Sequence, residues 1–310
     1  MEKFEQVFAF FNELAEQAEK QDIPYLEGLL AGMESVLDGA KPFSIEASKD
    51  EMRKGIQIAI LKGMRKNTQP NHQMTPDTLG LLISYFVEQF LEEELKSGQV
   101  KIADLALGTG NLVYTVMNAL DGKLEATGVE VDELLIRLAA ATAELLQQPI
   151  SLYRQDSLEP LLVDPVDAIV SDLPVGFYPN EEVALEYELC AEKGMSYSHH
   201  LFIEQSVKHT KDGGYLFLLV PSSLFTSEEA KNLHKYLKKH TWINAVIQLP
   251  SSLFSSHAHE KSILVLQKPS ENLRAPREVL LAKVPNLSNK EAMAMFFEKV
   301  QIWKKQRLAK

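Results

Sequence analysis

The chain has 310 residues, enough for about two domains. Its 45% hydrophobic and 24% charged residues can bury a substantial core, which excludes a disordered chain, a collagen and a disulfide-stapled mini-protein. A net charge of −11 gives no general attraction to phosphate, so any binding of nucleic acid needs a local basic patch or a partner. The one cysteine, Cys190, can neither close a disulfide within the chain nor build a thiolate zinc site. No apolar run approaches the roughly 18 residues of a membrane span, and the N-terminal Met1-Glu2-Lys3-Phe4-Glu5 is acidic and amphipathic, unlike a signal peptide. These features predict a protein of a reducing compartment, the cytoplasm, without a membrane partner.

Before residue 98 every periodic segment reads as helix. Phe4, Val7, Phe8, Phe11, Leu14 and Ala15 share one helical face. A second helix follows Pro24 and ends near Asp38-Gly39, and a third runs from about Lys49 to Arg65. Asn67-Thr68-Gln69 and Pro70 mark a loop, after which a fourth helix begins near Pro76. Beyond Gly98, short strand-like runs alternate with helices. The strands are Val100–Ala106, Glu125–Val131, Ile150–Tyr153, Ala168–Ser171, Tyr215–Val220, Ile243–Leu249 and Ile263–Gln267. Helices fit at Asn111–Leu120, Glu133–Leu146, His199–His209 and Glu228–His240, with a last one over about Asn289–Arg307.

This alternation predicts an α/β fold with a mainly parallel sheet covered on both faces. The loop Pro250–Lys261 leaves no helix between the last two strands, which should therefore pair antiparallel, giving seven strands with the last one reversed. The expected division is a helical domain over 1–70, a catalytic domain over 71–270 and a C-terminal extension over 271–310.

Two loops carry chemistry. Asp104-Leu105-Ala106-Leu107-Gly108-Thr109-Gly110-Asn111 runs from a strand through a glycine turn into a helix, where free amides attract polar groups. Glu130 lies 20 residues beyond Gly110 at the end of the next strand, where a carboxylate can accept both hydroxyls of a ribose. Position 113 is Val113, whereas a dinucleotide site usually has a third glycine there. Asp104 before the glycines suits a ligand that bears positive charge, as S-adenosylmethionine does. A tight turn without a ligand is the plain alternative.

The second loop, Ser171-Asp172-Leu173-Pro174-Val175-Gly176-Phe177, follows the fourth strand. Ligands of open parallel sheets bind beyond the carboxyl ends of the strands, the edge at which both loops are expected to emerge. A proline-stiffened loop with one carboxylate can fix an amine through the Asp172 side chain and the Leu173 carbonyl. A simple β-turn with an Asx bond is the alternative here.

On these residues the chain resembles the class I S-adenosylmethionine-dependent methyltransferases, and most closely the N6-adenine DNA methylases of the type I restriction–modification methylation-subunit branch, with the stand-alone YtxK-like group nearest. The family's D-P-x-x-G-T-G-N-L loop is matched by Asp104 to Leu112, and its N-P-P-F-G loop by Asp172-Leu173-Pro174-Val175-Gly176. Its Thr-Pro pair is matched by Thr75-Pro76, its fifth strand by Tyr215–Ser222, and its final hairpin by Leu249–Phe254 with Lys261–Leu266. The likeness covers about Gln69 to Lys268 in matching order.

The resemblance implies a seven-stranded Rossmann-like methyltransferase sheet preceded by a helical bundle. It implies a cofactor site for S-adenosylmethionine lined by Thr75, Asp104, Gly108, Gly110 and Asn111, with Glu130 on the ribose and Asp156 at the adenine ring. Asp172, Leu173, Pro174 and Val175 would form the catalytic loop, with no covalent intermediate. Val175 replaces the aromatic residue on which a flipped base stacks, so Phe177 or Tyr178 would have to supply that face. The implied substrate is DNA, methylated at adenine N6, with sequence specificity supplied by a separate partner. Methylation of a protein glutamine, whose enzymes use a similar loop, is an alternative. So is a catalytically silent protein that binds the cofactor, for which Val175 is the best argument.

Cys190 follows Glu188-Leu189 and not the proline of a cytosine methylase nucleophile, so it reads as an incidental thiol. His199-His200 and His257-Ala258-His259 lack metal-ligand spacing and read as a helix start and a polar loop, and no metal is expected. Lys231, Lys235 and Lys238 stripe one helix, while Arg53, Lys54, Lys62, Arg65 and Lys66 crowd another near Thr75. Both clusters read as solvated faces or, alternatively, as strips that track phosphate.

Overall fold

The computed structural model describes residues 2–66, 74–254 and 256–308. The loop expected at Asn67-Thr68-Gln69 and Pro70, and the domain boundary placed there, lie outside the described residues. The chain divides into two compact units between Ser157 and Leu158.

The first unit opens with three helices, α1 (Lys3–Glu19), α2 (Tyr25–Leu37) and α3 (Lys49–Lys66). Val7, Phe11 and Ala15 of α1 are fully buried, as the periodicity predicts, and α1 packs on both α2 and α3. The α1–α3 approach depends on Gly55, where a Cβ would stand 2.5 Å from Val7 Cβ. Next come α4 (Asp77–Phe90), the short α5 (Glu92–Ser97), β1 (Val100–Asp104), α6 (Asn111–Ala119), β2 (Leu124–Glu130), α7 (Glu133–Leu146) and β3 (Ile150–Arg154).

The three strands are parallel in the order β3-β2-β1, with α6 crossing from β1 to β2 and α7 from β2 to β3. The N-terminal helices are not a free-standing bundle, because α2 packs on α7, and α3 on both α6 and α7.

The second unit contains β4 (Val166–Asp172), α8 (Glu181–Ala184), α9 (Ser198–Lys208), β5 (Thr210–Pro221), α10 (Ala230–His240), β6 (Trp242–Gln248), β7 (Lys261–Gln267), β8 (Leu280–Lys283) and α11 (Lys290–Leu308). β4 and β5 are parallel, β7 runs antiparallel to both β5 and β6, and β8 adds parallel to β6. The order is β4-β5-β7-β6-β8. Antiparallel pairing of the last two expected strands is observed, but the described residues form eight strands and not seven. The additional strand, Leu-Leu-Ala-Lys, has only four residues, too few for an alternation to stand out from a loop. Among the described residues no helix is long and apolar enough to cross a membrane.

His199 and His200 open α9, which packs on β5, and both rings are buried. Among the described residues His199 Nδ1 and His200 Nε2 have no hydrogen-bond partner. Burial, with the neighbouring His200, pushes His199 down to about 3, and burial takes His200 to about 4. The unfolded chain takes up a proton on each ring near pH 6.5, whereas the folded protein resists until about pH 4. Stability is therefore full above pH 6.5 and falls as pH drops. Urea unfolding at pH 5 should show about 2–4 kcal/mol less stability than at pH 7. Equal stability at the two pH values would show that the rings are not buried in neutral form.

Candidate active site

In the first unit the glycine turn leaves β1 at Asp104, whose buried carboxylate accepts a hydrogen bond from Ala106 N at 3.0 Å. Leu107 then folds over Gly128 of β2, where a Cβ would stand 2.7 Å from the leucine. Gly108 (φ +57°) and Gly110 (φ +80°) are both left-handed, a conformation that costs glycine nothing. A Cβ on Gly110 would strike the Tyr114 ring at 2.3 Å, while a Cβ on Gly108 would meet nothing within 4 Å. The turn is thus packed from below at Gly110 and open above Gly108. Tyr114 is anchored under it by donating to Ala139 O at 2.8 Å, and burial pushes its phenol well above the ordinary range.

Glu130, at the end of β2, fixes this turn. One carboxylate oxygen accepts from Gly108 N at 2.8 Å and the other from Asp132 N at 2.9 Å. Asp132 in turn caps α7 by accepting from Leu135 N at 2.9 Å. Val131, directly after Glu130, is 62% exposed, an apolar surface at the turn that the sequence reading did not single out. Asp156 lies two residues beyond β3 and is partly buried, and Gln155 N donates to Glu130 O at 3.1 Å.

Thr75 and Asn111 are both buried, and Asn111 Nδ2 donates to Thr75 O at 2.8 Å. Open space above Gly108, the Glu130 carboxylate and the buried acid Asp104 fit a ligand that carries both a sugar diol and a positive charge.

In the second unit Asp172 ends β4, and Lys261, the first residue of β7, pairs with its Oδ1. Both side chains are mostly buried. Sequence reading placed Lys261 in the final hairpin, two residues before the expected strand, but did not assign it to the site. Leu173 is buried and donates its N–H to Leu219 O at 3.1 Å, which sets the loop against β5. Pro174 and Val175 are exposed.

Gly176 O accepts from Ser198 N at 2.9 Å and Ser196 O from Tyr178 N at 2.8 Å, so the loop is zipped to residues 196–198. The zip places Phe177 and Tyr197 face to face, ring centroids 5.0 Å apart and planes 17° from parallel. Phe177 is 56% exposed, whereas Tyr178 is only 6% exposed and offers no free ring face. Tyr197, 20 residues downstream of Phe177, carries no motif that could have revealed it.

The two basic clusters fare differently. Lys231, Lys235 and Lys238 are exposed along α10, and no ion pair is recorded for them among the described residues. The α3 cluster is largely neutralised. Lys62 pairs with Glu16 at 2.5 Å, Lys66 with Glu19 at 2.6 Å and Lys54 with Asp50 at 3.3 Å, while Arg53 is buried. That helix is not an open strip for phosphate. His257 and His259 sit in an exposed 3-10 turn, and among the described residues no cluster of three potential metal ligands occurs.

A Listeria monocytogenes protein, solved as a candidate class I S-adenosylmethionine-dependent methyltransferase, superposes with a TM-score of 0.91 and 39% identity over 97% of this chain and 99% of its own. The methyltransferase subunit of a type I restriction–modification system from Streptococcus thermophilus shares the fold at a TM-score of 0.67 and 15% identity, over 92% of this chain and 63% of that one. Fold and glycine turn together define a class I methyltransferase whose cofactor is S-adenosylmethionine.

The chain belongs to the N-6 DNA Methylase family, whose model matches residues 66–306. It is also 50% identical over 253 residues to the uncharacterized protein YtxK of Bacillus subtilis, an alignment that spans 81% of this chain and 76% of YtxK.

Replacing Glu130 by Ala removes the acceptor of two turn amides along with any ribose contact. We expect at least a tenfold loss of S-adenosylmethionine affinity by calorimetry, about 1.4 kcal/mol. Unchanged affinity would dissociate Glu130 from the cofactor.

Proposed function

We propose that this protein transfers a methyl group from S-adenosylmethionine to the exocyclic N6 amine of adenine in DNA. The observation that carries the reading is the Asp172 loop. It combines a fixed carboxylate, a backbone carbonyl beside it at Leu173 and an exposed aromatic stack five residues from the acid. When bound, the cofactor supplies a methyl group made electrophilic by a positive sulfur. Thr75, Asp104, Gly108, Gly110, Asn111, Glu130 and Asp156 are assigned to binding it, Glu130 at the ribose and Asp156 at the adenine ring.

The acceptor amine is a poor nucleophile because its lone pair is delocalised into the purine. Asp172 and the Leu173 carbonyl accept its two N–H hydrogens, which returns electron density to the nitrogen and fixes its direction of attack. Pro174 stiffens the loop that presents both groups. Catalysis on this account is proximity and directed hydrogen bonding, with no covalent enzyme intermediate.

A base held in this way has to leave the duplex, and stacking offsets part of that cost. Val175 cannot stack, so Phe177, backed by Tyr197, takes that role, worth about 1–3 kcal/mol per base. DNA is the partner in this reading, with sequence specificity supplied by a separate protein and activity in the cytoplasm. The division of labour follows the sequence boundaries, with helical residues 1–70, catalytic residues 71–270 and an extension over 271–310.

Asp172→Ala should keep S-adenosylmethionine affinity within twofold of wild type and lower methyl transfer to DNA at least a hundredfold, measured with labelled cofactor. Retained turnover would remove Asp172 from the chemistry. The exposed lysines of α10 are assigned to the DNA backbone. Changing Lys231, Lys235 and Lys238 together to Gln should weaken DNA binding and flatten the slope of log affinity against log salt by about 2–3. An unaltered slope would mark them as a solvated face.

A further inference from the structure

We propose that Arg53 is a positioning residue for the cofactor site, by which helix α3 holds the Thr75–Asp77 turn and the start of α6 in register. The proposal rests on the reading of Thr75 and Gly108–Asn111 as cofactor-binding. Arg53 is 2% exposed, the largest fully buried side chain among the described residues, and no step of the proposed chemistry uses it. A charged group in that position persists only when its hydrogen bonds are met.

All five guanidinium donors are engaged. Nη1 donates to Asp77 Oδ1 at 2.8 Å and to Asn111 Oδ1 at 3.0 Å. Nη2 donates to Asp77 Oδ2 at 2.9 Å and to Asp50 Oδ1 at 2.8 Å, and Nε donates to Asp50 Oδ1 at 3.3 Å. Burial alone would raise the Asp77 carboxyl, but the hydrogen bonds and charge of Arg53 outweigh it and hold Asp77 below its ordinary range.

The network continues toward the proposed site. Asn111, the first residue of α6, receives Arg53 on its side-chain oxygen and donates its amide nitrogen to Thr75 O at 2.8 Å and to Asp77 Oδ1 at 3.3 Å. Its side chain is thus committed to joining segments, so Asn111 acts on a ligand through the placement of the Gly108–Gly110 turn just before it. Gln57, one turn along α3, adds a hydrogen bond to Asp77. α4 lies close against α6 at Gly80, where a Cβ would stand 2.8 Å from Thr115 Cγ2, so a shift of the 75–77 turn carries α6 with it.

A cleft of about 10 Å³, lined by Arg53, Gln57, Thr109 and Asn111 among others, has room for about one water. A shortened side chain at position 53 can be hydrated there, but one water cannot reproduce a planar fork that binds Asp77 through two oxygens. Lysine keeps the charge and loses the fork.

The test uses the full chain. S-adenosylmethionine binding is measured by calorimetry well below the melting temperature for Arg53→Met, Arg53→Lys, Asp77→Asn and the packing control Leu29→Ala, whose apolar side chain is fully buried in α2 and makes none of the hydrogen bonds of the network. Amide exchange over residues 108–115 is followed in the ligand-free protein. We expect Arg53→Met to weaken binding at least tenfold and to speed exchange in that segment, with Arg53→Lys and Asp77→Asn each weakening binding at least threefold. Leu29→Ala should lower the melting temperature while leaving affinity within twofold of wild type.

If Arg53→Met does not fold, the lysine and Asp77→Asn variants decide. The proposal is overturned if the folded variants bind within twofold of wild type, or if Leu29→Ala weakens binding as much as they do. A wild-type chain that binds no S-adenosylmethionine overturns the cofactor reading and the role of Arg53 together. Binding by wild type with indifferent variants overturns the role of Arg53 alone.

Discussion

The two backbone amides that converge on Glu130 set the geometry of the glycine turn. Gly108 N–H and Asp132 N–H belong to the loops after β1 and β2, and one carboxylate binds both at 2.8 and 2.9 Å. Charge-assisted bonds of this kind are roughly twice as strong as neutral ones, so the two strand ends are fixed to each other and not left as independent loops. Gly110 can take its left-handed conformation over the Tyr114 ring because the turn before it is held. The start of α6, and through Asn111 the Thr75–Asp77 turn, follow from that placement. Each of these residues has a structural task as well as any contact it makes with a ligand.

Much of this was legible in the amino-acid sequence because period and punctuation agree with burial. Glu133–Leu146 is the helix that the spacing predicts, and the apolar runs of β1, β2, β4, β6 and β7 fall within two residues of expectation. The misses have physical causes. β5 begins at Thr210, five residues before the expected Tyr215, because Gly213 and Gly214 read as a turn yet continue the strand through an irregularity opposite Val166–Ala168. β8 is a four-residue strand whose Leu281 faces solvent, so no alternation announces it.

Arg53 was misplaced because a run of cations on a helix usually faces water. The counter-signal was local, since Asp50 stands three residues before it, and the second acid, Asp77, follows the Thr-Pro pair. Tyr197 could not be found from sequence, because its partnership with Phe177 is made by a backbone zip between segments 20 residues apart.

Against the family's N-P-P-F-G, the loop proposed to hold the acceptor differs at three positions: an acid stands for the asparagine at Asp172, and Leu173 and Val175 differ with other consequences. Leu173 replaces a proline, yet its carbonyl is retained, its side chain is buried and its N–H gains a partner in Leu219 O. Val175 replaces an aromatic ring, and the exposed Phe177–Tyr197 stack offers such a surface two residues further on. Lys261 beside Asp172 adds a cation where an acceptor amine is expected to bind, so an incoming substrate must share or replace that pairing.

Identification of the methylated atom therefore tests the account most directly. The protein is incubated with methyl-labelled S-adenosylmethionine in the presence of both DNA and cellular protein, and nucleosides and amino acids are separated after complete digestion. The account predicts label in N6-methyladenine, and label confined to glutamine or absent from both pools would contradict it.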